Sequence, residues 1–396
     1  MKNEPAVLTC VGLNYMTVPV EVREKLAFSS GELPEALAVA RRRLRGAVVL
    51  STCNRTEIYA FAPDDPSETR RLVGMLNGLK GTALDPSLFY SSRHAGAVRH
   101  LFRVACGIDS MVLGESQILG QVRDAMSAAT KAETLDGVLS RVFHSAIGVG
   151  RRARIETAIG REAVSVSSAA VALARQFLGD LAGKTVLVIS AGATGKLAAK
   201  SLAHYARSRI LVANRTGERA SELVDELGES AEAVSLDDVA RALSEADIVI
   251  SGTSAEGFIV GPDVVRPVMA SRGGRELLFI DIAVPRDIDP AVREIPSVHL
   301  CDIDDIEAVA ASGMEGRQAE VHRVESIIEE EVQAFIQWWS SLDVLPVIAA
   351  LRGRAEVIRQ QELERTLKRL PDLDDESRRR IEAMTTAIVK KMLDRP

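Results

Sequence analysis

The chain has 396 residues, 46% apolar and 26% charged, and its 49 basic against 55 acidic residues leave a net charge of −6. That length supports two or three domains with cores of their own, and the composition excludes disordered, collagenous and disulfide-stapled classes. The charge balance does not mark a general nucleic-acid binder, and no stretch approaches the roughly 18 uninterrupted apolar residues of a membrane span. Local arginine clusters at 41–45, 151–154 and 378–380 read as solvated helix faces. Four scattered cysteines, and no apolar leader ahead of the first strand, make a cytoplasmic location the expectation.

In chain order, Val7 to Leu13 reads as a strand and Pro34 to Leu44 as a helix. Val48 to Phe61 reads as two short strands flanking Ser51-Thr52-Cys53-Asn54-Arg55-Thr56-Glu57. Cys53 thus sits at a strand mouth, where side chains converge on a substrate. An unperturbed thiol has a pKa of about 8.5, so only a few per cent is thiolate at neutral pH. Arg55, two residues on, leaves an extended chain on the same side as Cys53. Its guanidinium is expected either to favour the thiolate or to grip a substrate carboxylate. A buried cysteine beside a surface arginine is the competing reading of this heptapeptide. Helices are predicted from Ala95 to Val104, from Ser116 to Lys131 and from Leu139 to Ala153. Residues 164–178, rich in small side chains at helical spacing, are expected to form the hinge between domains.

From Gly183 strands and helices alternate, the pattern of a parallel α/β sheet. Strands are predicted at Thr185–Ser190, Arg209–Ala213, Ile248–Gly252, Leu277–Ile282 and Ser297–Leu300. The turn Ser190-Ala191-Gly192-Ala193-Thr194-Gly195 matches a Rossmann fingerprint, with Ser190 in place of the first glycine. Gly192 would let a pyrophosphate approach the backbone, and the following helix N-terminus would supply amide donors. The next strand ends in Asn214-Arg215-Thr216, a cation and a hydroxyl where NAD-specific sites place a carboxylate, so NADPH is the expected cofactor. A vestigial nucleotide fold is the alternative. After about residue 303 the chain reads as helical. Val321, Val324, Ile328, Val332, Phe335 and Trp339 form an apolar stripe near 3.5 residues per turn, expected to bury against a partner chain, with packing inside the chain as the alternative. The histidines and cysteines show no ligand spacing, so no metal is expected.

Taken together these motifs resemble the glutamyl-tRNA reductase family. The matching segments are Gly12-Leu13-Asn14 with Arg23-Glu24, the Cys53 heptapeptide, the block from His100 to Val122, Asn214-Arg215-Thr216, the Asp281–Arg286 segment and Asp302-Ile303-Asp304-Asp305. The resemblance implies an α/β multidomain protein: an α+β N-terminal catalytic domain (1–158), a Rossmann-like NADPH domain (159–302, with 159–182 a linker or spinal helix) and a C-terminal helical dimerisation domain (303–396). It implies Cys53 as nucleophile and His100 as its catalytic support. Thr52, Asn54, Arg55, Ser110, Glu115, Ser116, Gln117 and Gln121 fall where the family holds the glutamyl group. The implied partners are glutamyl-tRNA(Glu), a second copy of the chain, and glutamate-1-semialdehyde aminomutase. Three positions depart from the family: Ser190 for glycine, Tyr15 for histidine and Cys301 for tyrosine.

The implied reaction is NADPH-dependent reduction of glutamyl-tRNA(Glu) to glutamate-1-semialdehyde through a cysteine thioester, the first step of tetrapyrrole synthesis from glutamate. One alternative is a small-molecule NADPH dehydrogenase of the shikimate-dehydrogenase type, which leaves Cys53 and the His100–Gln121 block without a purpose. Another is a catalytically silent tRNA-binding paralogue, motivated by Tyr15 and Ser190.

Overall fold

Nine consecutive residues with a β-branched, mostly buried pattern make β1 (Ala6–Asn14) the centre of the N-terminal sheet. It is flanked by β3 (Arg55–Pro63) and β4 (Tyr90–Arg93), and β2 (Ala47–Ser51) pairs on the far side of β3, giving the antiparallel order β2-β3-β1-β4. Ser51 pairs with Thr56, so the β2–β3 hairpin closes over residues 52–55. Around this sheet lie α1 (Val20–Arg23), α2 (Leu33–Arg43), α3 (Ser67–Lys80), α4 (Ala95–Cys106), α5 (Gln117–Lys131) and α6 (Gly137–Glu156). The computed structural model describes residues 6–393 apart from 30, 112, 116, 161–165, 190–192, 207–208, 228–230, 254, 256, 313–317 and 371–372. Among the described residues, no helix is long and apolar enough to cross a membrane.

The second half of the pattern is a parallel sheet. Its elements are α7 (Val166–Leu178), β5 (Val186–Ile189), α8 (Ala193–Ala206), β6 (Ile210–Asn214), α9 (Gly217–Leu227), β7 (Ala231–Ser235), α10 (Val239–Glu245), β8 (Ile248–Ser251), α11 (Pro262–Ser271), β9 (Leu277–Asp281), β10 (Val298–Cys301) and α12 (Ile303–Ser312). The six strands run β7-β6-β5-β8-β9-β10, all parallel. The winding reverses between β5 and β8, which leaves a crevice outside their carboxyl ends where such sheets bind nucleotides. β5, β8 and β9 are buried on both faces, as a doubly covered sheet requires.

Two helices follow, α13 (Gln318–Arg369) and α14 (Asp375–Leu393). The chain divides into two compact bodies, Met1–Val332 and Gln333–Pro396. In the second, Phe335 is buried and packs its ring against Trp338 and Trp339, while Leu351, Ile358, Met384 and Ile388 are left exposed.

Ala169, Ala170 and Ala174 are small enough to let α7 pack closely against α8 and α12 in the α/β core, as its run of small residues suits. Two expectations change. Ile303 and Ile306 place α12 in that same core rather than in a separate helical domain. The apolar stripe does not wait wholly for a partner. Val324, Ile328 and Val332 are buried within the first body, and the polar flanks of this stretch are tied to α4 and α6 by Arg99–Glu329, Arg103–Glu325 and Arg152–Glu330 pairs at 2.8, 2.5 and 2.9 Å. Strands β4 and β7 complete the two sheets and helix α3 packs against the first; none of the three was anticipated. A direct check follows from Ile328, only 2% exposed. Ile328→Ala should lower the unfolding free energy by about 2–5 kcal/mol, and by the same amount at every protein concentration. A loss that vanishes at high concentration would return this residue to the interface between copies.

Candidate active site

The hairpin turn that carries Cys53 is closed by its own residues. Thr52 N donates to Arg55 O at 2.8 Å, and Thr52 Oγ1 accepts from the amides of Asn54 and Arg55 at 3.1 and 3.2 Å. A threonine here substitutes for a backbone turn acceptor. Tyr15 N donates to Asn54 O at 3.0 Å, and Arg23 Nε donates to Cys53 O at 3.2 Å, so the loop after β1 and helix α1 both grip the turn. Cys53 is half-buried at the tip.

With Thr52, Cys53 lines a cleft of about 580 Å3 whose opposite wall comes from the α/β part: Thr253, Phe258, Val284, Pro285 and Arg286. That wall is braced by two buried carboxylates. Asp287 accepts from Ser251 Oγ, Thr253 N and Thr253 Oγ1, and Asp281 accepts from the amides of Ala283, Asp287 and Ile288. Burial and the neighbouring Asp287 charge push Asp281 up to about 7, against the pull of its amide donors.

Behind the turn lies a closed charge cluster. Residues two apart on a strand share a face, so Arg55, Glu57 and Tyr59 of β3 point together toward α4. Arg55 Nη1 donates to Glu57 Oε1 at 2.8 Å and to Asp109 Oδ2 at 3.0 Å, and Nη2 donates to Asp109 O. Glu57 also accepts from Tyr59 Oη, from Tyr90 Oη and from His100 Nε2, the last at 2.9 Å. Room for this carboxylate comes from Gly12, directly across the β1–β3 register. A Cβ there would lie 2.7 Å from Glu57 Cγ and 2.6 Å from Thr56 O. Burial alone would raise the Glu57 pKa, but His100 and Arg55 outweigh it and hold the carboxyl well below the usual carboxylate range.

Arg55 therefore does not face the thiol as expected. It is 1% exposed and spends its Nη donors on internal acceptors. Cys10, Glu57 and His100 offer three ligand atoms within 4.8 Å of one another. The guanidinium sharing Glu57 Oε1 already supplies the positive charge there, and the carboxylate's acceptor sites are taken, so the arrangement is an internal ion-pair network rather than a cation cage, with Arg55 Nε its one donor left without a partner.

The remaining expected residues divide. Asn54 and Ser110 are buried, and Gln117 is half-buried at the first turn of α5. Glu115 is close enough to Arg55 to feel its charge, yet burial still raises its pKa. Gln121 lines a different cleft, of about 800 Å3 between α2 and α5, which shares only Ser51 with the first. Ser116 and Ser190, Ala191 and Gly192 lie outside the described residues. Ala193, Thr194 and Gly195 open α8 at the carboxyl end of β5. Asn214 ends β6 and accepts from Thr216 N at 3.1 Å, leaving Arg215 and Thr216 exposed at the crevice. The exposed hydroxyl and guanidinium at the carboxyl end of β6, beside the start of α8, fit a nicotinamide dinucleotide. Sequence reasoning missed Glu57, Asp109 and Tyr90; charged side chains two apart inside an apolar strand were the available signal.

A cysteine at the turn of an antiparallel sheet, lining a cleft shared with a doubly wound parallel domain, defines the class: a dehydrogenase-type fold with a cysteine in its cleft. Comparison with known proteins gives the family. Residues 11–157 match the N-terminal domain of glutamyl-tRNA(Glu) reductase, 172–309 match shikimate/quinate 5-dehydrogenase, and 323–396 match the glutamyl-tRNA(Glu) reductase dimerisation domain. The chain is 43% identical to glutamyl-tRNA reductase of Geobacter sulfurreducens over 98% of its own length and 90% of that protein's. It is 41% identical to that of Bacillus subtilis over 98% and 85%. The solved glutamyl-tRNA reductase of Methanopyrus kandleri superposes with a TM-score of 0.50 at 38% identity, covering 98% of this chain and 94% of that one. This chain belongs to the glutamyl-tRNA reductase family. It is an oxidoreductase with a nicotinamide-nucleotide domain and a dimerisation domain.

The cluster makes a pH prediction. Folding lowers the Glu57 pKa, so its stabilising contribution is present above the ordinary glutamate value of about 4.3 and is lost as pH falls below it. Glu57→Gln should cost about 3–5 kcal/mol at pH 7, because it leaves Arg55 buried beside an uncharged partner. It should also flatten the acid limb of the stability curve. Urea titrations from pH 7 to pH 3 read both effects; a parallel acid limb in the variant would show that Glu57 does not carry it.

Proposed function

We propose that this protein reduces glutamyl-tRNA(Glu) to glutamate-1-semialdehyde with release of tRNA, through a thioester on Cys53 and with NADPH as reductant. The observation that carries the reading is the cleft. One wall carries the Cys53 thiol of the reductase N-terminal domain and the other, Thr253 to Arg286, belongs to the dehydrogenase-type domain, which supports acyl and hydride chemistry meeting in one space.

Cys53 Sγ attacks the ester carbonyl carbon. The C–S bond forms, the C–O bond to the terminal ribose breaks, and the oxygen leaves with a proton. Sulfur donates weakly into a carbonyl, so the thioester accepts hydride more readily than the ester did. NADPH, when bound, supplies that hydride. Collapse of the adduct then returns the Cys53 thiol and frees the aldehyde, which calls for an aminomutase as its consumer. Thr52 holds the turn in register. Ser110, Glu115 and Gln117 serve the glutamyl group, with Glu115 retaining acceptor capacity for its ammonium. His100, bound to Glu57, acts by fixing the cluster on which the turn rests. Arg215 and Thr216 hold the 2′-phosphate of the cofactor. The protein works as a homodimer through the apolar residues exposed on α13 and α14.

Cys53→Ser should abolish reduction while leaving NADPH affinity within about twofold. Incubation with glutamyl-tRNA alone should add a glutamyl mass to Cys53. The other three cysteines are buried, with burial raising Cys10 well above the ordinary thiol range and Cys106 and Cys301 to about 12, so none of them should be labelled. A label on any of them sinks the mechanism.

Cofactor choice gives a second test. A charge-assisted contact is worth roughly 1.5–3 kcal/mol and each 1.4 kcal/mol is tenfold, so NADPH should outbind NADH by about ten- to a hundredfold. Arg215→Asp should erase or invert that ratio in parallel titrations. An unchanged ratio would remove Arg215 from the site.

A further inference from the structure

Helix α1 is only four residues long, yet it is gripped by the α/β part from two sides. Val20 at its start is packed into the apolar cluster that also holds Ile303 and Ile306, and Cys53 packs against the same cluster. Val20 N donates to Asp304 Oδ2 at 3.0 Å. On the opposite side Arg286 donates from Nε and Nη2 to Glu24 at 2.9 and 2.8 Å, and from Nη1 to Glu21 at 2.9 Å. Each half of the first body lends a cation to carboxylates of the other.

Arg23, 2% exposed, is the member of this set that reaches the reacting residue. Its Nη2 meets Asp304 Oδ1 at 2.5 Å, and its Nη1 donates to Asp304 Oδ2 at 3.4 Å and to Val18 O at 3.1 Å. Its Nε donates to Cys53 O at 3.2 Å. A guanidinium is a rigid planar fork. Once the Asp304 carboxylate holds one edge, the direction of Nε–H is fixed, and with it the carbonyl of Cys53.

We propose that Arg23 is a positioning residue that ties the setting of the Cys53 turn to the seating of the α/β part through Asp304. The thiol is then placed for hydride delivery only while the nucleotide site is docked over it. The consequence for turnover rests on the function proposed above; the mechanical coupling does not. Lysine at position 23 retains the charge opposite Asp304 but lacks the fork that also reaches Val18 and Cys53, so it separates ion pairing from positioning.

The test uses the full-length protein and the variants Asp304→Asn, Arg23→Lys and, as an interface control, Glu21→Gln, whose exposed carboxylate makes one of the Arg286 contacts. Hydrogen exchange at the amides of residues 52–55 should quicken at least tenfold in Asp304→Asn and Arg23→Lys and stay within twofold in Glu21→Gln. Exchange in β5 and β8 should keep its wild-type rate in all three. In single turnovers, the ratio of semialdehyde formation to Cys53 acylation should fall at least tenfold in the first two variants, with the KM for NADPH within threefold. Unchanged exchange at the turn would overturn the proposal, as would a quickening that spreads through β5 and β8 as general loss of packing. A proportionate fall of both chemical steps would do the same. If the wild type forms no acyl-enzyme, the proposed function fails, and exchange at the turn still decides the coupling. Arg23→Lys keeps that decision available if Asp304→Asn does not fold.

Discussion

The Arg55–Glu57 pair, 1% and 0% exposed, is the constraint around which the N-terminal half is arranged. Taking two charges out of water costs several kcal/mol apiece, and their attraction offsets this only when the remaining donors and acceptors are also met. Here Asp109 takes the far side of the guanidinium, leaving only Nε unpartnered, while Tyr59, Tyr90 and His100 complete the carboxylate. Those partners come from β3, β4, α4 and the segment after α4. Any shift of one element against another would strand a buried charge, so the network fixes register where apolar packing would tolerate sliding. Gly12 belongs to the same constraint, since a side chain there would occupy the carboxylate's space.

The cluster lies immediately beneath the hairpin turn, and this explains why a reactive cysteine can sit on a loop without being loosely placed. Thr52 closes the turn from within, Arg55 anchors its end from below, and Arg23 holds the Cys53 carbonyl from the side. Cys53 is left lining the cleft beside Ser51 and Thr52. Sites carried on loops lose precision when their supporting shell is soft; here two of the supports, Arg23 and Arg55, are buried guanidinium groups in ion-pair networks that cannot relax cheaply.

Much of this was legible in the sequence, and for identifiable reasons. The α/β strands announced themselves because a doubly covered sheet needs unbroken apolar runs, and Val186–Ile189, Ile248–Ser251 and Leu277–Asp281 supply them. β7 escaped because Ala231–Ser235 is an edge strand with mostly uncovered side chains. β4 escaped likewise, since Tyr90–Arg93 is short and polar and sits at the sheet edge. The turn around Cys53 was readable from its flanking strands. The direction of Arg55 was not, because spacing gives the face on which a side chain leaves but not which of two partners claims it. Glu57 and Asp109, separated by 52 positions, only become partners of one guanidinium once α4 has folded onto β3.

The stripe from Val321 to Trp339 shows the same limit from another direction. Its period is that of a seam, and a seam says only that something covers it. The first part, through Val332, is covered by the chain's own α4 and α6 because Arg99, Arg103 and Arg152 meet Glu329, Glu325 and Glu330 there. Such partly exposed pairs contribute little stability individually; their effect is to choose among surfaces that would all bury the same apolar residues. Farther along, α13 and α14 keep Leu351, Ile358, Met384 and Ile388 exposed. Along its length α13 therefore passes from a buried strut to a stretch with exposed apolar residues, and the acidic flank at 325–331 that meets those arginines gives way between them to the aromatic cluster of Phe335, Trp338 and Trp339.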